Sequence, residues 1–466
     1  MRLGNERRCC EGSVDTEDRP DAGIGQLPRH GANAAVRRRF PSSRAARGPG
    51  AVRGSACVNT RSTWSARPVA SPTNATLLFL LACAIAAVTL ILTTVDPWLD
   101  KAGILVGGLD VHVYRDGASR ILHDQPLYTE PTLRGLLYTY TPFSAIVFLP
   151  TNLIPWQYLS PIWLTLNLVV LFGCIMTSWR LLGYRFTGRL AAGSALLALT
   201  CTFIEPVRTT LFYGQINLIL MLLVLWDFSR RDRSRLRGIG IGIAAGIKLV
   251  PLYFVVQLLA SRQWRSAGTA ALTFVASVVL TWFVLPADSS TYWTTTFFQS
   301  ERIAPDTHPA NQSLRGVLAH LTHGPAPLWL WLLVALPVLA AGLFVATALH
   351  RHGERLLSVT LAGLTACAVS PFSWGHHWVW FVPLLVYLVH RAQLNPRWWI
   401  AAAALYLSIG GWTYHWSETW VSVGVFLLPP WWPAAPLLMN AYVIAYLAVL
   451  GSAALMVRRL ARSAAE

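Results

Sequence analysis

The chain has 466 residues, of which 54% are hydrophobic and 13% charged, and its mean hydropathy is +0.46. A soluble domain carries roughly 25% charged residues, so this composition excludes an ordinary soluble enzyme and indicates a membrane protein with several spans. The formal net charge of +17 does not indicate nucleic-acid binding. Its arginines gather in the N-terminal tail and in short turns between apolar segments, where basic residues mark the cytoplasmic side.

The N-terminal tail, residues 1–72, is rich in Arg, Gly, Ala, Ser and Pro and has no periodic apolar pattern. We expect a disordered cytoplasmic tail, because such a segment cannot bury enough apolar surface to offset the entropy of ordering it. A basic arm on an anionic leaflet and an over-extended translation start are two further interpretations. The seven cysteines are scattered without a CxxC pair, which argues against a zinc site or a disulfide framework.

Residues 73–466 are predicted to form a transmembrane catalytic domain that begins with a span over residues 75–95. The next stretch, residues 96–140, is then extracytoplasmic and acidic. Connections longer than about 15 residues are usually functional, so we expect this loop to carry part of a site. Within it, residues 111–122 are predicted to form a short helix lying on the membrane surface.

Two apolar segments follow, a short one over residues 143–155 and a longer one over 158–179, and the number of crossings here stays open. Residues 190–204 are predicted to run outward and residues 211–228 to return to a strongly basic turn.

Residues 238–260 lie between two basic turns that should share one side of the membrane. A single span cannot connect them, and Lys248 and Pro251 lie near the middle of the segment. We therefore predict two half-length helices that meet at Lys248–Pro251, with the broken backbone lining a cavity.

The remaining apolar segments complete an all-α polytopic membrane protein with about 11 to 13 transmembrane or half-membrane helices. A second extracytoplasmic loop covers residues 286–326. The basic turns fall on the predicted inner face, and most acidic residues beyond the tail fall on the outer one. The later spans are predicted over residues 267–285, 327–349, 356–369, 378–389, 398–409 and 436–456.

Asp110 is the candidate general base, because it follows the glycine pair 107–108 in the first outer loop and has polar neighbours in His112, Tyr114 and Arg115. A base must reach its proton and be held in position; the glycines are expected to supply mobility and the neighbours hydrogen bonds. The alternative is an exposed loop carboxylate.

Lys248 is one of only two lysines in the chain, and it lies at the predicted break in a membrane segment. An ionisable residue at that depth is a functional candidate, and a phosphate approaching from outside would give its charge a partner. The alternative is a side chain that extends its ammonium to the membrane surface.

The sequence Ser373-Trp374-Gly375-His376-His377-Trp378 lies at the outer mouth of a predicted span. Its two histidines could bind phosphate, orient a sugar or ligate a metal. Adjacent histidines point in different directions and no carboxylate is near in sequence, so a phosphate or hydroxyl contact is favoured over a metal.

Two pairs of amide side chains open toward the same outer face. Amides offer both donors and acceptors and suit sugar hydroxyls, whereas the alternative is polar contact between helices. The pairs are Gln215 with Asn217 and Asn311 with Gln312.

Together these motifs resemble the glycosyltransferase C superfamily of polyprenyl-phosphate-sugar-dependent enzymes, in particular the actinobacterial α-1,2-mannosyltransferases that act on phosphatidylinositol mannosides. The resemblance covers the chain from about residue 75 onward, and it depends on the order of the motifs and their common face. The matching stretches are residues 109–114, 138–143, 214–217, 246–251, 311–314 and 373–378.

The resemblance implies mannose transfer from a polyprenyl-phosphate-mannose donor to a lipid-anchored mannosyl acceptor in the plasma membrane, with the site on the extracytoplasmic face. Asp110 would deprotonate the acceptor hydroxyl, and Lys248, His376 and His377 would bind the donor phosphate. No cofactor or metal is implied. The remaining substrate-binding candidates are His112, Tyr114, Arg115, Tyr138, Gln215, Asn217, Asn311, Gln312 and Trp374.

Three alternatives remain. The same chemistry could branch lipomannan or lipoarabinomannan or act on another lipid-linked sugar. A transporter or flippase for lipid-linked sugars would show paired halves and a mid-membrane site, and no internal repeat is found. A non-catalytic membrane subunit would leave the polar loops unexplained.

Overall fold

The computed structural model describes residues 72–94, 107–232, 234–299, 302–412, 423–427 and 431–463. Within these residues the chain is helical, and the only extended pairings are isolated bridges, Ile204 to Gly410 and Asn311 to Trp374. The predicted disordered tail lies outside the described residues, apart from its last position, and so does the start of the first outer loop.

The helices follow one another with short connections. The first nine are α1 (Asn74–Thr94), α2 (Leu109–Leu122), α3 (Pro142–Val147), α4 (Trp156–Leu181), α5 (Gly188–Cys201), α6 (Glu205–Tyr213), α7 (Asn217–Ser229), α8 (Ile239–Ile247) and α9 (Tyr253–Ala260). The others are α10 (Trp264–Val284), α11 (Pro286–Thr294), α12 (Leu314–Thr322), α13 (Leu328–Arg351), α14 (Arg355–Val369), α15 (Phe381–Leu394), α16 (Trp398–Ser408), α17 (Ala435–Leu438) and α18 (Ala441–Ser463).

Five of the described helices, α1, α4, α10, α13 and α18, are long and apolar enough to cross a membrane. The bent pair α6 and α7 is a sixth candidate span, and shorter apolar helices such as α5, α14 and α16 lie among them. The prediction of an all-α polytopic membrane protein is therefore confirmed.

The predicted break inside residues 238–260 is confirmed. Helix α8 ends at Ile247, Lys248 has an extended backbone with φ −144° and ψ 130°, and a single turn of 3-10 helix, Val250–Leu252, precedes α9. Proline has no backbone N–H to donate and its ring obstructs the preceding turn, which accounts for the break just before Pro251.

Two predicted segments have different boundaries in the structure. The span predicted over residues 211–228 covers the end of α6 and most of α7, and the chain bends by 118° between these two helices. Gly214 has φ +70°, a left-handed conformation that ends α6. The short segment predicted over residues 143–155 contains α3 and a turn of 3-10 helix, Leu149–Leu153, and neither element is long enough to cross a membrane.

The helix predicted over residues 111–122 is α2, and one face of it is packed inside the protein. Its residues Val111, Tyr114 and Ala118 are fully buried in the main hydrophobic core, which packs α2 against α3, α4 and α6. The alternation of apolar and polar residues in α2 follows this burial rather than contact with lipid.

Candidate active site

Asp110 is the second residue of α2, which begins directly after a tightly packed glycine pair. The Gly108 amide donates to the Phe212 carbonyl at 2.6 Å, and Gly108 has φ +98°. A Cβ at Gly107 would overlap the same carbonyl. The glycines therefore allow a close approach between α2 and the end of α6, and the prediction that they make Asp110 mobile is wrong.

Gln215 holds the Asp110 carboxylate in place. Its Nε2 donates to Asp110 Oδ2 at 2.6 Å, while its Oε1 accepts from the hydroxyls of Tyr114 at 2.9 Å and Tyr140 at 3.0 Å. Two hydroxyl donors on the amide oxygen fix which end of the amide faces the acid, because an amide oxygen accepts and an amide nitrogen donates.

The environment of Asp110 suits a base. Burial raises the pKa of Asp110 to about 6, while the hydrogen bond from Gln215 and the charge of Lys248 act in the opposite direction. A carboxyl with a raised pKa is a stronger base than a free one and is still ionised near neutral pH.

Lys248 lies at the centre of a second cluster. Its Nζ is 3.2 Å from Asn217 Oδ1 and 2.9 Å from His377 Nε2, and it lies 5.3 Å from the centre of the Tyr140 ring. Asn217 Nδ2 in turn donates to the His376 carbonyl at 3.0 Å. The break between α8 and α9 thus brings the ammonium to the start of α7 and to the two histidines.

Residues 373–377, here called the histidine segment, lie between α14 and α15 and include the start of the 3-10 turn Gly375–Trp380. The His376 ring is stacked on Trp374 at 6.1 Å between centres, and its Nε2 is buried without a hydrogen-bond partner in the described part of the chain. Burial first, and then the charge of Lys248, lowers the pKa of both histidines well below the ordinary value. Both are therefore neutral and can donate or accept a hydrogen bond.

His112 and Arg115 form the other edge of the site on α2. His112 Nε2 lies 3.0 Å from Ser160 Oγ, and its ring is 3.9 Å from that of Trp156. The Arg115 guanidinium lies 5.3 Å from the centre of the same indole ring. His112 Nδ1 and Arg115 Nη1 are buried without partners among the described residues, so both have hydrogen-bonding capacity left for a ligand.

Tyr138 is placed away from the acid. It is fully buried in a second, smaller core, its hydroxyl is 2.6 Å from Ser144 Oγ, and its ring lies where a Cβ on Gly117 would be. Its position supports the packing of α2 on α3 rather than contact with a substrate.

Asn311 and Gln312 are buried and use their amides within the protein. Asn311 Oδ1 accepts from the Ser373 amide at 3.2 Å, and the Gln312 backbone amide donates to the Ser373 carbonyl at 2.7 Å. The Gln312 side chain bonds to the backbone of Met439 and Tyr442. The pair therefore braces the histidine segment, which corresponds to the alternative interpretation of polar contact between elements.

Two residues of the site were missed from the sequence. Tyr140 contacts Gln215, Tyr114 and Lys248, and its signal was a tyrosine two positions after Tyr138. Glu205 is an acid buried at the start of α6; the sequence placed it only among the acidic residues of the predicted outer face. No group of three His, Cys, Asp or Glu side chains in the described ranges is arranged to hold a metal ion.

Three relatives resemble the chain over most of their length. A polyprenol-phosphate-mannose-dependent alpha-(1-2)-phosphatidylinositol pentamannoside mannosyltransferase of Mycolicibacterium smegmatis is 33% identical, over 60% of this chain and 69% of the relative. Its counterpart of the same name in Mycobacterium tuberculosis is also 33% identical, over 65% and 72%. A phosphatidylinositol mannoside mannosyltransferase of M. smegmatis with the same donor and linkage in its name is 32% identical, over 66% and 75%.

No solved structure matches the chain. The family model for glycosyltransferase family 87 matches residues 138–371, which include Tyr140, Gln215, Asn217 and Lys248. Asp110 lies before this range, and the histidines lie just after it. The chain belongs to glycosyltransferase family 87 and is a membrane-embedded sugar-transferring enzyme.

Proposed function

We propose that the chain transfers mannose from polyprenyl-phosphate-mannose to a mannosyl hydroxyl of a phosphatidylinositol mannoside, forming an α-1,2 linkage with inversion. The observation that carries the proposal is the fixed pair of Asp110 and Gln215, which Tyr140 links to Lys248. The Tyr140 hydroxyl bonds to Gln215, and its ring centre lies 5.3 Å from Lys248 Nζ. This arrangement supports the assignment of one base and one cation to a single site. The names of the relatives support the donor, the acceptor class and the linkage.

Asp110 acts as the general base. As the acceptor oxygen bonds to the anomeric carbon of mannose, the Asp110 carboxylate takes the hydroxyl proton. The bond between the anomeric carbon and the phosphate oxygen breaks, and its electron pair leaves on the polyprenyl phosphate. Attack opposite the leaving group turns a β-linked donor into an α product in one step, so a single carboxylate is sufficient.

Lys248 and the two histidines act on the leaving side. The departing phosphate gains negative charge, and fixed charges and donors aimed at such a group stabilise the transition state more than the ground state. Lys248 supplies the positive charge. His376 and His377 are neutral and supply directed hydrogen bonds rather than charge.

The reaction takes place at the outer side of the plasma membrane. The basic turns after α7 and α9 and around Arg351–Arg355 mark one side of the helices. Helix α2 and the histidine segment belong to the opposite side, where a lipid-linked donor and acceptor share one leaflet. Membrane lipids surround the apolar faces of the spanning helices.

An acid held by an amide, which two tyrosine hydroxyls hold in turn, favours an enzyme over a flippase. A transported lipid needs a path through the membrane, whereas the polar groups here converge on a single carboxylate near one face. The acceptor could also be a lipomannan chain, because any acceptor of this chemistry presents a mannose hydroxyl.

The test uses purified full-length protein in nanodiscs with labelled polyprenyl-phosphate-mannose and a phosphatidylinositol mannoside. We expect one added mannose that an α-1,2-specific mannosidase removes. Asp110→Asn should reduce turnover about 100- to 10 000-fold, the usual contribution of a positioned base. The control is Asp116→Asn, on the same helix and paired with Arg120, which should change turnover less than about threefold.

Transfer of mannose to lipomannan but not to the phosphatidylinositol mannoside would replace the proposed acceptor. Normal turnover by Asp110→Asn would remove Asp110 from the chemistry, and flipping of the donor without transfer would contradict the proposed function as a whole.

A further inference from the structure

Glu205 is a buried acid that the proposed mechanism does not use. It is the first residue of α6 and is 2% exposed. Its Oε2 accepts a hydrogen bond from the Tyr442 hydroxyl at 2.7 Å. Its backbone amide donates to the Ile409 carbonyl at 2.8 Å, so both its main chain and its side chain are held.

No ion pair between described residues involves Glu205. A buried carboxyl without a cation costs free energy, because it loses its hydration or must hold a proton. An apolar or amide side chain would therefore fill this position more stably. We therefore expect the carboxyl to have a role beyond filling space, and its contacts indicate that role.

The Glu205 carboxyl lies directly against the backbone of Gly375. A Cβ at that glycine would overlap both carboxyl oxygens, so the glycine is required by the acid beneath it. Gly375 immediately precedes His376 and His377 in the histidine segment. The contact therefore fixes the position of the backbone from which the two imidazoles extend into the site.

Helix α6 connects this contact to the catalytic acid. Thr210, in its middle, lies with its hydroxyl 3.4 Å from the His376 carbonyl. Beyond its last residue, Gly214 turns the chain and Gln215 donates to Asp110. One short rigid element thus carries the support for the histidines at its start and the holder of the base at its end.

We propose that Glu205 is a positioning residue for the donor-phosphate pocket, acting through Gly375 on His376 and His377. The proposal rests on the proposed function, because it assigns the histidines to the donor. Glu205 itself contacts no substrate. Its removal should therefore affect use of the donor while leaving use of the acceptor unchanged.

The first experiment measures steady-state kinetics of Glu205→Gln in nanodiscs against both substrates. We expect the KM for polyprenyl-phosphate-mannose to rise about tenfold and the KM for the acceptor to stay within about twofold. The substitution should weaken binding of the donor and leave binding of the acceptor unchanged. The matched control is Glu354→Gln, at the start of α14, which should leave both KM values unchanged. An unchanged donor KM, or equal changes in both KM values, would overturn the proposal.

The second experiment is a double-mutant cycle that keeps the proposal testable if Glu205→Gln folds poorly. Gly375→Ala alone should reduce turnover at least about tenfold because the new methyl group meets the carboxyl. Glu205→Ala with Gly375→Ala removes that overlap, so the double variant should be more active than Gly375→Ala alone. Effects that simply multiply would show that the two residues do not act through each other.

The two proposals fail in different ways. Wild-type protein that transfers no mannose from the donor contradicts the proposed function. Wild-type protein that transfers mannose, together with an additive cycle and unchanged donor KM, contradicts only the role of Glu205.

Discussion

Lys248 Nζ lies 2.9 Å from His377 Nε2, although the two residues are 129 positions apart. An ammonium has three hydrogens and no acceptor, so His377 Nε2 must accept and its ring hydrogen lies on Nδ1. A second ammonium hydrogen is directed at Asn217 Oδ1. One hydrogen is left for a ligand, and a phosphate oxygen is the natural acceptor for it.

Lys248→Ala should therefore weaken use of the donor. We expect the KM for polyprenyl-phosphate-mannose to rise more than tenfold and kcat to fall as well, because the lost charge acts on both the bound phosphate and the leaving group. The control Arg262→Ala removes an exposed cation from the turn between α9 and α10. Equal effects of Lys248→Ala on the two substrates would contradict phosphate binding.

The acid limb of the pH profile should report Asp110. A base must be ionised, and burial raises the pKa of Asp110 to about 6, so the rate should fall as the pH drops through about 6. Gln215 lowers that pKa by bonding to the ionised form. Gln215→Ala removes this stabilisation, and the acid limb should move to higher pH.

Rates of wild type, Gln215→Ala and Asp116→Asn between pH 5 and 8 provide the measurement; this range brackets the group's titration. Asp116→Asn should keep the wild-type profile. A limb that moves to lower pH in Gln215→Ala would reverse the assignment of the amide as donor to the acid.

Tyr114 and Tyr140 share the task of orienting Gln215. Either hydroxyl alone still bonds to Oε1, so each single change to Phe should reduce turnover less than about tenfold. With both hydroxyls removed the amide can rotate, and the double variant should lose more than the product of the single losses. Tyr387→Phe, in the middle of α15, is the control, and a strictly multiplicative double variant would argue against shared orientation.

The sequence was sufficient where one local feature decided the structure. Pro251 and an isolated lysine predicted the break between α8 and α9, because two basic turns on one side of the membrane exclude a single span and proline disfavours a helix interior. Alternating basic turns and apolar segments predicted an all-α membrane protein, because basic residues gather in the cytoplasmic turns between spanning helices.

The sequence was insufficient where the position of a side chain depends on which way the residue faces or on contacts with residues distant in the chain. Tyr138 and Tyr140 differ by two positions, yet one packs behind Gly117 and the other reaches Gln215. The hydrogen bond from Gln215 to Asp110 spans 105 positions, and no local pattern contains it. The prediction that the glycine pair makes Asp110 mobile failed because the packing partner of Gly107, the end of α6, is equally distant in sequence.

The proposed orientation in the membrane predicts which positions an impermeant maleimide can reach. Asp124 is exposed in the turn after α2, and Arg397 is exposed in the turn before α16. In intact cells, a cysteine at position 124 should be labelled and one at position 397 should be labelled only after permeabilisation. Background labelling is removed by replacing the tail cysteines. Labelling at position 397 in intact cells would show that the proposed orientation is reversed.

Two glycines in helix interiors should respond to alanine in opposite ways. Gly117 lies in α2 against the Tyr138 ring, whereas Gly268 lies in α10 with no atom near the position of a Cβ. Gly117→Ala should destabilise the fold by about 1–3 kcal/mol, the usual cost of overpacking a core. Gly268→Ala should be neutral or stabilise by up to about 1 kcal/mol, because alanine restricts the unfolded chain. Thermal unfolding of both variants in the same detergent is the measurement. Because Asp110 is on the same helix as Gly117, Gly117→Ala should also lose turnover at temperatures where it remains folded. Equal stability of the two variants would show that Tyr138 yields to the added methyl group and does not set the position of α2.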